Sequence, residues 1–393
     1  MIGSGQAREA GDKPAGRKGL ATMPVQLRRL AVWLMLAATV AGCAGGASGS
    51  RLAQQDSAAQ RAEQNSTAQR PATAFLAAYV RPDGRVYRPD QGGDTVSEGQ
   101  AYGLLLAEVA GQPAAFGRIW QWTRAHLQLP SGLFAYHANA AGQLLSAQPA
   151  SDADLLIAWA LLRYQGPHAA TRHQEGQQVA AAVLAHEVIT GPGGTPVLTA
   201  GPWATGSPAS LDPSYWALPA LTGLARLTGD QQWQQLADGA VLLTSRLTAG
   251  GRDLPPDWAQ LTASGVLAPA AAPNGSEPQT EYGLDAQRTV VWYAVSCDPR
   301  ARALASRWWA LLRQPGRAQA IALRPNGVII NPAAAPLPLV AAAAAAQATG
   351  QQSAGRRLLQ RANAQQHSYP TYYGGAWAAL GPALLSGALD SAC

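Results

Sequence analysis

The sequence predicts an all-α fold in which six helical hairpins close into a ring, an (α/α)6 barrel, and three observations lead there. The 393-residue chain is 47% hydrophobic and only 13% charged, which provides for a sizeable core and excludes a disordered chain. Runs rich in Ala, Leu and Arg at 103–110, 155–164, 179–188, 218–227, 286–295 and 302–312 are mostly longer than ordinary strands, and period-two alternation is scarce. Helix starts recur near 98, 152, 214, 285, 334 and 374, at intervals that each hold two helices and their connections. If helices alternate between an inner and an outer ring, all inner helices run parallel and their N-terminal ends surround one mouth. The competing arrangement, an irregular helical solenoid, would spread the same starts along a surface.

Taken in order, the first 42 residues read as an export signal. Six Lys and Arg stand there against Glu9 and Asp12, so of the formal charge of +6 only +2 belongs to the rest of the chain. Both lysines lie in this segment and no basic stripe follows, so no nucleic-acid partner is expected. Arg28 and Arg29 precede an apolar run, Leu30 to Ala41, too short to span a bilayer comfortably and suited to a signal. The run ends in Val40-Ala41-Gly42-Cys43, which resembles the bacterial lipobox. Cys43 is therefore expected to carry a lipid anchor, holding an exported protein at a membrane on its periplasmic or outer side. A plain secretory signal containing a cysteine is the alternative, and Met23 is a second candidate start.

Residues 43–70, mostly Ala, Gly, Ser and Gln with small charges, read as a flexible tether. Residues 71–393 read as one large domain. Cys297 and Cys393 remain as candidates for pairing in an oxidising compartment.

The helix starts carry the chemistry. Ser97 with Gln100, Ser151 with Asp154, and Asp212 followed by Pro213 read as N-caps. Glu98 sits in a first turn, where the helix dipole favours a carboxylate in any case. Gly99 and Gly103 in the same stretch each cost about 1 kcal/mol relative to Ala, so something needs the room, and a sugar ring against the backbone would need it. Asp152 and Asp154, two positions apart, point different ways around their helix, so one can cap while the other faces the mouth. Asp285 stands three residues before Arg288, close enough for an ion pair on one helix face.

Four segments in order, Ser-Glu-Gly-Gln-x-Tyr-Gly at 97–103, Ala-Ser-Asp-Ala-Asp-x-x-Ile-Ala at 150–158, Asp-Pro-Ser-Tyr at 212–215 and Asp-Ala-x-Arg at 285–288, resemble glycoside hydrolase family 8. Asp83-Gly84-Arg85-Val86 and Leu254-Pro255-Pro256-Asp257-Trp258 resemble its bacterial cellulose-synthesis endoglucanase branch. The resemblance implies an (α/α)6 barrel with an open cleft and inverting, endo-acting hydrolysis of β-1,4 bonds in a glucan such as cellulose. By motif position Glu98 is the general acid, Asp285 the general base, and Asp152 the aspartate that binds and distorts the sugar. Tyr215 and Arg288 would support that site. Tyr102, Asp154, Trp216, Tyr372 and Trp120 complete the expected substrate-binding set, and Trp122, Trp203 and Trp377 are further candidate platforms, with core packing the competing use of each tryptophan.

Inversion needs one protonated and one ionised carboxyl about 6.5–9.5 Å apart. The helix dipole opposes protonation of Glu98, so burial or a nearby carboxylate such as Asp152 must outweigh it, and the neighbouring charge is expected to do so. Leu284 departs from the family pattern, in which a tyrosine usually precedes the base; Tyr282 lies two positions earlier. Neither cofactor nor metal is implied, there being no H-E-x-x-H or C-x-x-C. The expected partner is a polysaccharide, with a polysaccharide-synthesis machinery as a further candidate and a monomer as the expected state. The alternatives are a catalytically silent polysaccharide-binding lipoprotein, or the same hydrolase acting on xylan, chitosan or mixed-linkage glucan.

Overall fold

The computed structural model describes residues 67–389 apart from 274 and 276–278. The signal segment, Cys43, the tether up to residue 66, and Cys393 lie outside the described residues. Residues 67–70, assigned to the tether from sequence, form the first turn of helix α1 (residues 67–79), with Ala68 and Ala72 fully buried. Cys297 is engaged in a disulfide.

Eleven further helices follow among the described residues: α2 (Ser97–Val109), α3 (Pro113–His126), α4 (Ser151–Arg163), α5 (Ala169–His186), α6 (Leu218–Thr228), α7 (Gln232–Leu247), α8 (Leu284–Ala294), α9 (Pro299–Leu312), α10 (Pro336–Ala348), α11 (Gln352–Ser368) and α12 (Tyr372–Leu385). The even-numbered helices pack in sequence, α2 on α4, α4 on α6, α6 on α8, α8 on α10 and α10 on α12, and α12 returns to α2. The ring is closed, so the solenoid is excluded. Each odd-numbered helix from α3 to α9 packs outside the inner helix before it, and α11 covers both α10 and α12. Phe75 and Tyr79 of α1 pack on Tyr372 of α12.

Burial sorts the two rings. Ser151 to Leu162 of α4 and Pro336 to Ala346 of α10 are buried on every face, whereas α11 buries only Gly355, Leu358 and Ala362. A helix buried all round belongs in the core, and one with a single apolar stripe belongs on the wall. Where α10 meets α12, a Cβ on Gly381 would stand 2.5 Å from Val340, so this close approach requires glycine.

The helix starts lie within two residues of their expected positions, except that α6 begins at Leu218, after a 3₁₀ turn at Pro213–Tyr215. Two of the three expected caps are corrected. Ser97 and Ser151 are the first helical residues, preceded by Val96 and Ala150 in extended conformation. The cause is strand pairing: Val96 pairs with His137 in a three-stranded antiparallel sheet, and Pro149 ends another strand of that sheet. Asp212 does cap, accepting from the Ser214 N–H at 2.8 Å, although it caps the 3₁₀ turn.

Candidate active site

At the mouth of the ring a cleft of about 470 Å³ is lined by Glu98, Tyr136, Asp152, Trp203, Tyr215, Trp258, Asp285 and Arg288, among others. Its organising group is the Arg288 guanidinium, which is 3% exposed. Nη1 donates to Asp152 Oδ2 at 2.8 Å, to Glu98 Oε1 at 3.3 Å and to the Tyr102 hydroxyl at 3.3 Å. Nη2 donates to Ser214 Oγ at 2.7 Å and Asp285 Oδ1 at 2.9 Å, with Asp212 Oδ2 at 3.8 Å. The Tyr215 ring lies 5.3 Å from the guanidinium carbon, a cation–π distance. Carboxyls from three inner helices and one turn thus meet on one cation. The Glu98 and Asp285 oxygens, held on the two Nη atoms of one planar group, are no more than roughly 8–9 Å apart, which overlaps the inverting window.

One cation among four carboxyls leaves negative charge uncompensated, and protonation is the ordinary response. Glu98 is pushed up to about 7, principally by burial; Arg288 pulls it down, and Asp152 adds a smaller push upward. The expectation that the Asp152 charge would dominate is corrected: loss of water around the carboxyl comes first. Asp152 is raised by burial against the pull of Arg288, and buried Asp212 is raised well above the usual carboxylate range. Asp285 is the most open of the four, with its side chain 34% exposed.

The start of α8, which carries Asp285, is held from a distance. Asp257 accepts from the backbone N–H groups of Gly283 and Ala286, and a Cβ on Gly283 would stand 2.3 Å from the Asp257 carboxylate. This is the role of the segment Leu254–Trp258, whose Trp258 also lines the cleft with its ring edge-on to Tyr215. In place of the family's usual tyrosine before Asp285, the Tyr373 hydroxyl approaches the Leu284 carbonyl at 3.4 Å. Tyr282 is buried and does not line the cleft, its backbone pairing with Leu323.

Several expected binding residues lie outside the cleft. Trp120 is buried and donates its indole N–H to Glu175, a wall contact between α3 and α5. Trp216 is buried and donates to the Leu198 carbonyl. Trp377 packs edge-on to Tyr102 and Trp292, and Trp122 stacks on His126. Tyr372 is 2% exposed, and its hydroxyl occupies the room that Gly99 leaves: a Cβ on Gly99 would meet it at 2.6 Å. Gly103 makes space for Val86 in the same way. The two glycines therefore serve protein side chains rather than a sugar ring. Asp154 turns away from the cleft and accepts from the Phe134 N–H at 2.8 Å. Tyr136, 39% exposed in the cleft, carried no signal in the sequence; the structure places it on the strand Ala135–Ala138.

A closed ring of inner helices, with carboxyls from separate helix starts converging on one guanidinium at its mouth, fits the glycoside hydrolase class. The family model of glycosyl hydrolases family 8 matches residues 52–382, and the chain belongs to that family. It is similar to a probable endoglucanase of Novacetimonas hansenii, 31% identical over 60% of this chain and 70% of that protein. An endoglucanase of Cellulomonas uda is likewise 31% identical, over 62% of this chain and 68% of the relative. Among solved structures, an endo-beta-1,4-glucanase of Acetobacter xylinum superposes with a TM-score of 0.67 at 28% identity, covering 82% of this chain and 98% of that one.

Proposed function

We propose that the protein is an inverting, endo-acting β-1,4-glucanase in which Glu98 protonates the leaving oxygen and Asp285 activates the attacking water. The observation that carries this reading is the shared guanidinium: Arg288 holds the two carboxyls within a limit that admits the inverting separation, Glu98 the more enclosed at 17% side-chain exposure and pushed up to about 7, Asp285 the more open at 34%. Asp152, on the same Nη1 as Glu98, is the group that grips the sugar at the cleavage point. Trp203 and Trp258 line the cleft beside the carboxyls, aromatic faces suited to the sugar rings of a polymer. The endoglucanase relatives favour a cellulose-like glucan over xylan, chitosan or mixed-linkage glucan.

The test is reducing-sugar release from carboxymethylcellulose, with the anomeric form of the first product read by NMR. The wild-type chain should release the α-anomer, and Glu98→Gln or Asp285→Asn should each lower kcat by about 10²- to 10⁴-fold. Binding without turnover in the wild type would establish the silent polysaccharide-binding module instead. Activity should fall as pH rises through about 7, where Glu98 loses its proton. We also infer export and a lipid anchor at Cys43, with the monomer working beside a polysaccharide-synthesis machinery; the apolar run ending in Val40-Ala41-Gly42-Cys43 and the resemblance to the cellulose-synthesis branch support this.

A further inference from the structure

Behind the cleft lie two carboxyls for which the hydrolytic scheme has no use. Asp154 in the first turn of α4 and Glu187 at the C-terminal end of α5 are both 0% exposed. Asp154 Oδ1 is satisfied by the Phe134 N–H, but Asp154 Oδ2 and both side-chain oxygens of Glu187 meet no N–H or hydroxyl donor. The two carboxyls, on the packed helices α4 and α5, act directly on each other. Among the described residues no arginine, lysine or histidine acts on either, and the further charge that does is Asp152, which repels both. His186 is exposed at the end of α5, and His137 on the neighbouring strand is bonded to Asp94.

Two carboxylates cannot both stay ionised in such a place, because burial and mutual repulsion act in the same direction. A single proton resolves the arrangement: one carboxyl becomes a donor and the facing oxygens gain a partner. Burial accordingly pushes both groups well above the ordinary carboxylate range.

The pair also joins three segments of the cleft wall. Asp154 holds Phe134, which leads into the strand Ala135–Ala138 bearing Tyr136. The Glu187 carbonyl accepts from both the N–H and the hydroxyl of Thr199, each at 2.9 Å. The Thr199 carbonyl accepts from Ser151 Oγ beside Asp152, and the same loop continues to Trp203. We propose that Asp154 and Glu187 form a proton-sharing carboxyl pair that positions Tyr136, Asp152 and Trp203 for glycan binding. Both are positioning residues. The role assigned to them rests on reading the cleft as a glycan site, whereas the shared proton does not.

The test separates those two parts. In infrared difference spectra at pH 8, Glu98→Gln minus Glu98→Gln/Glu187→Gln should show the carbonyl stretch of a protonated carboxylic acid. The folded pair keeps a proton that the unfolded chain releases near pH 4 to 5, so stability falls as pH rises above that range. A Gln amide donates to Asp154 without titrating, so the decline of Tm from pH 5 to 8 should be shallower in Glu187→Gln than in wild type. Absence of the band together with parallel Tm curves overturns the shared proton. For positioning, calorimetric Kd for a cello-oligosaccharide on the Glu98→Gln background should weaken roughly tenfold in Glu187→Ala and recover in Glu187→Gln. Unchanged Kd in a folded Glu187→Ala overturns the positioning role; if that variant does not fold, Asp154→Asn, which still accepts from Phe134 and donates to Glu187, must bind as the parent does. Because binding is read without turnover, a failure of hydrolysis leaves this test intact.

Discussion

The mouth of the ring has two unlike halves. The starts of α2, α4 and α8, with the turn before α6, bring Glu98, Asp152, Asp285 and Asp212 onto Arg288. The starts of α10 and α12 bring Pro336-Leu337-Pro338 and Tyr372-Tyr373-Gly374-Gly375, with no ionised group. Both halves have the same backbone geometry, parallel helix starts facing one opening. The difference teaches that the ring supplies convergence, while the residue type in each first turn decides between chemistry and packing. Both halves bury polar atoms without a hydrogen-bond partner, Arg288 Nε, Asp212 Oδ2 and Thr289 Oγ1 in the charged one and Tyr372 Oη and Trp377 Nε1 on α12, but only the charged one buries a cluster of ionisable groups. In the other half, Ala341 to Ala346 are completely buried without a polar side chain among them.

Removing the cation breaks the comparison most severely. Arg288→Met leaves four carboxyls facing one another, and losing one member of a buried ion cluster costs about 3–5 kcal/mol. Thermal unfolding should show that loss, and kcat/KM on carboxymethylcellulose should fall at least about 100-fold as Glu98 and Asp285 lose their common anchor. Whatever activity remains should extend to higher pH, because Arg288 is what pulls Glu98 downward.

Neutralising one carboxyl should instead stabilise the charged half. Folded Glu98 holds its proton up to about 7 against an ordinary value of 4.5. Between those values the folded chain binds more protons than the unfolded chain, so stability drops as pH rises and stays reduced above 7. Glu98→Gln does not titrate, so relative to wild type it should gain up to about 3 kcal/mol on going from pH 4 to pH 8. Denaturant unfolding at the two pH values measures this; an equal difference at both would mean that Glu98 is ionised in the folded chain.

The uncharged half should respond in the opposite way. Gly381→Ala places a Cβ 2.5 Å from Val340 and should cost about 1–3 kcal/mol of stability by overpacking, with kcat/KM at 25 °C unchanged. A fall in kcat without a fall in Tm would show the two halves to be coupled.

How much of this was legible in the sequence follows from the distance over which each feature is determined. Glu98, Asp152 and Asp285 stood out because each lies in a first turn, and the even spacing of those turns was itself the fold. Gly99 was legible as a demand for space, but the occupant, Tyr372, comes from the far end of the chain. The Asp257 cap on α8 reaches back across 26 residues, beyond the local cap patterns that a sequence displays. Ser97 and Ser151 carried those patterns and do not cap: Val96 is strand-paired directly before Ser97, and a strand ending at Pro149 delivers Ala150, extended, before Ser151. Trp120 lies on a wall helix, Trp216 follows the 3₁₀ turn before α6 and Trp203 stands in a loop turn, placements that the residue type alone does not display.

Trp203 supports the smallest prediction, and one that sharpens where the charged half ends. It is 40% exposed, lines the cleft and is pinned by an indole hydrogen bond to the Pro149 carbonyl at 2.9 Å, a few residues before Asp152. It touches none of the four carboxyls through a hydrogen bond, so its contribution is the apolar face it offers to a sugar ring. Trp203→Ala should therefore raise KM for a cello-oligosaccharide roughly 3- to 10-fold and leave kcat and its pH limb in place. A loss in kcat at constant KM would mean that the ring acts on the bond being broken, and would extend the catalytic half of the mouth to the loop that follows Thr199.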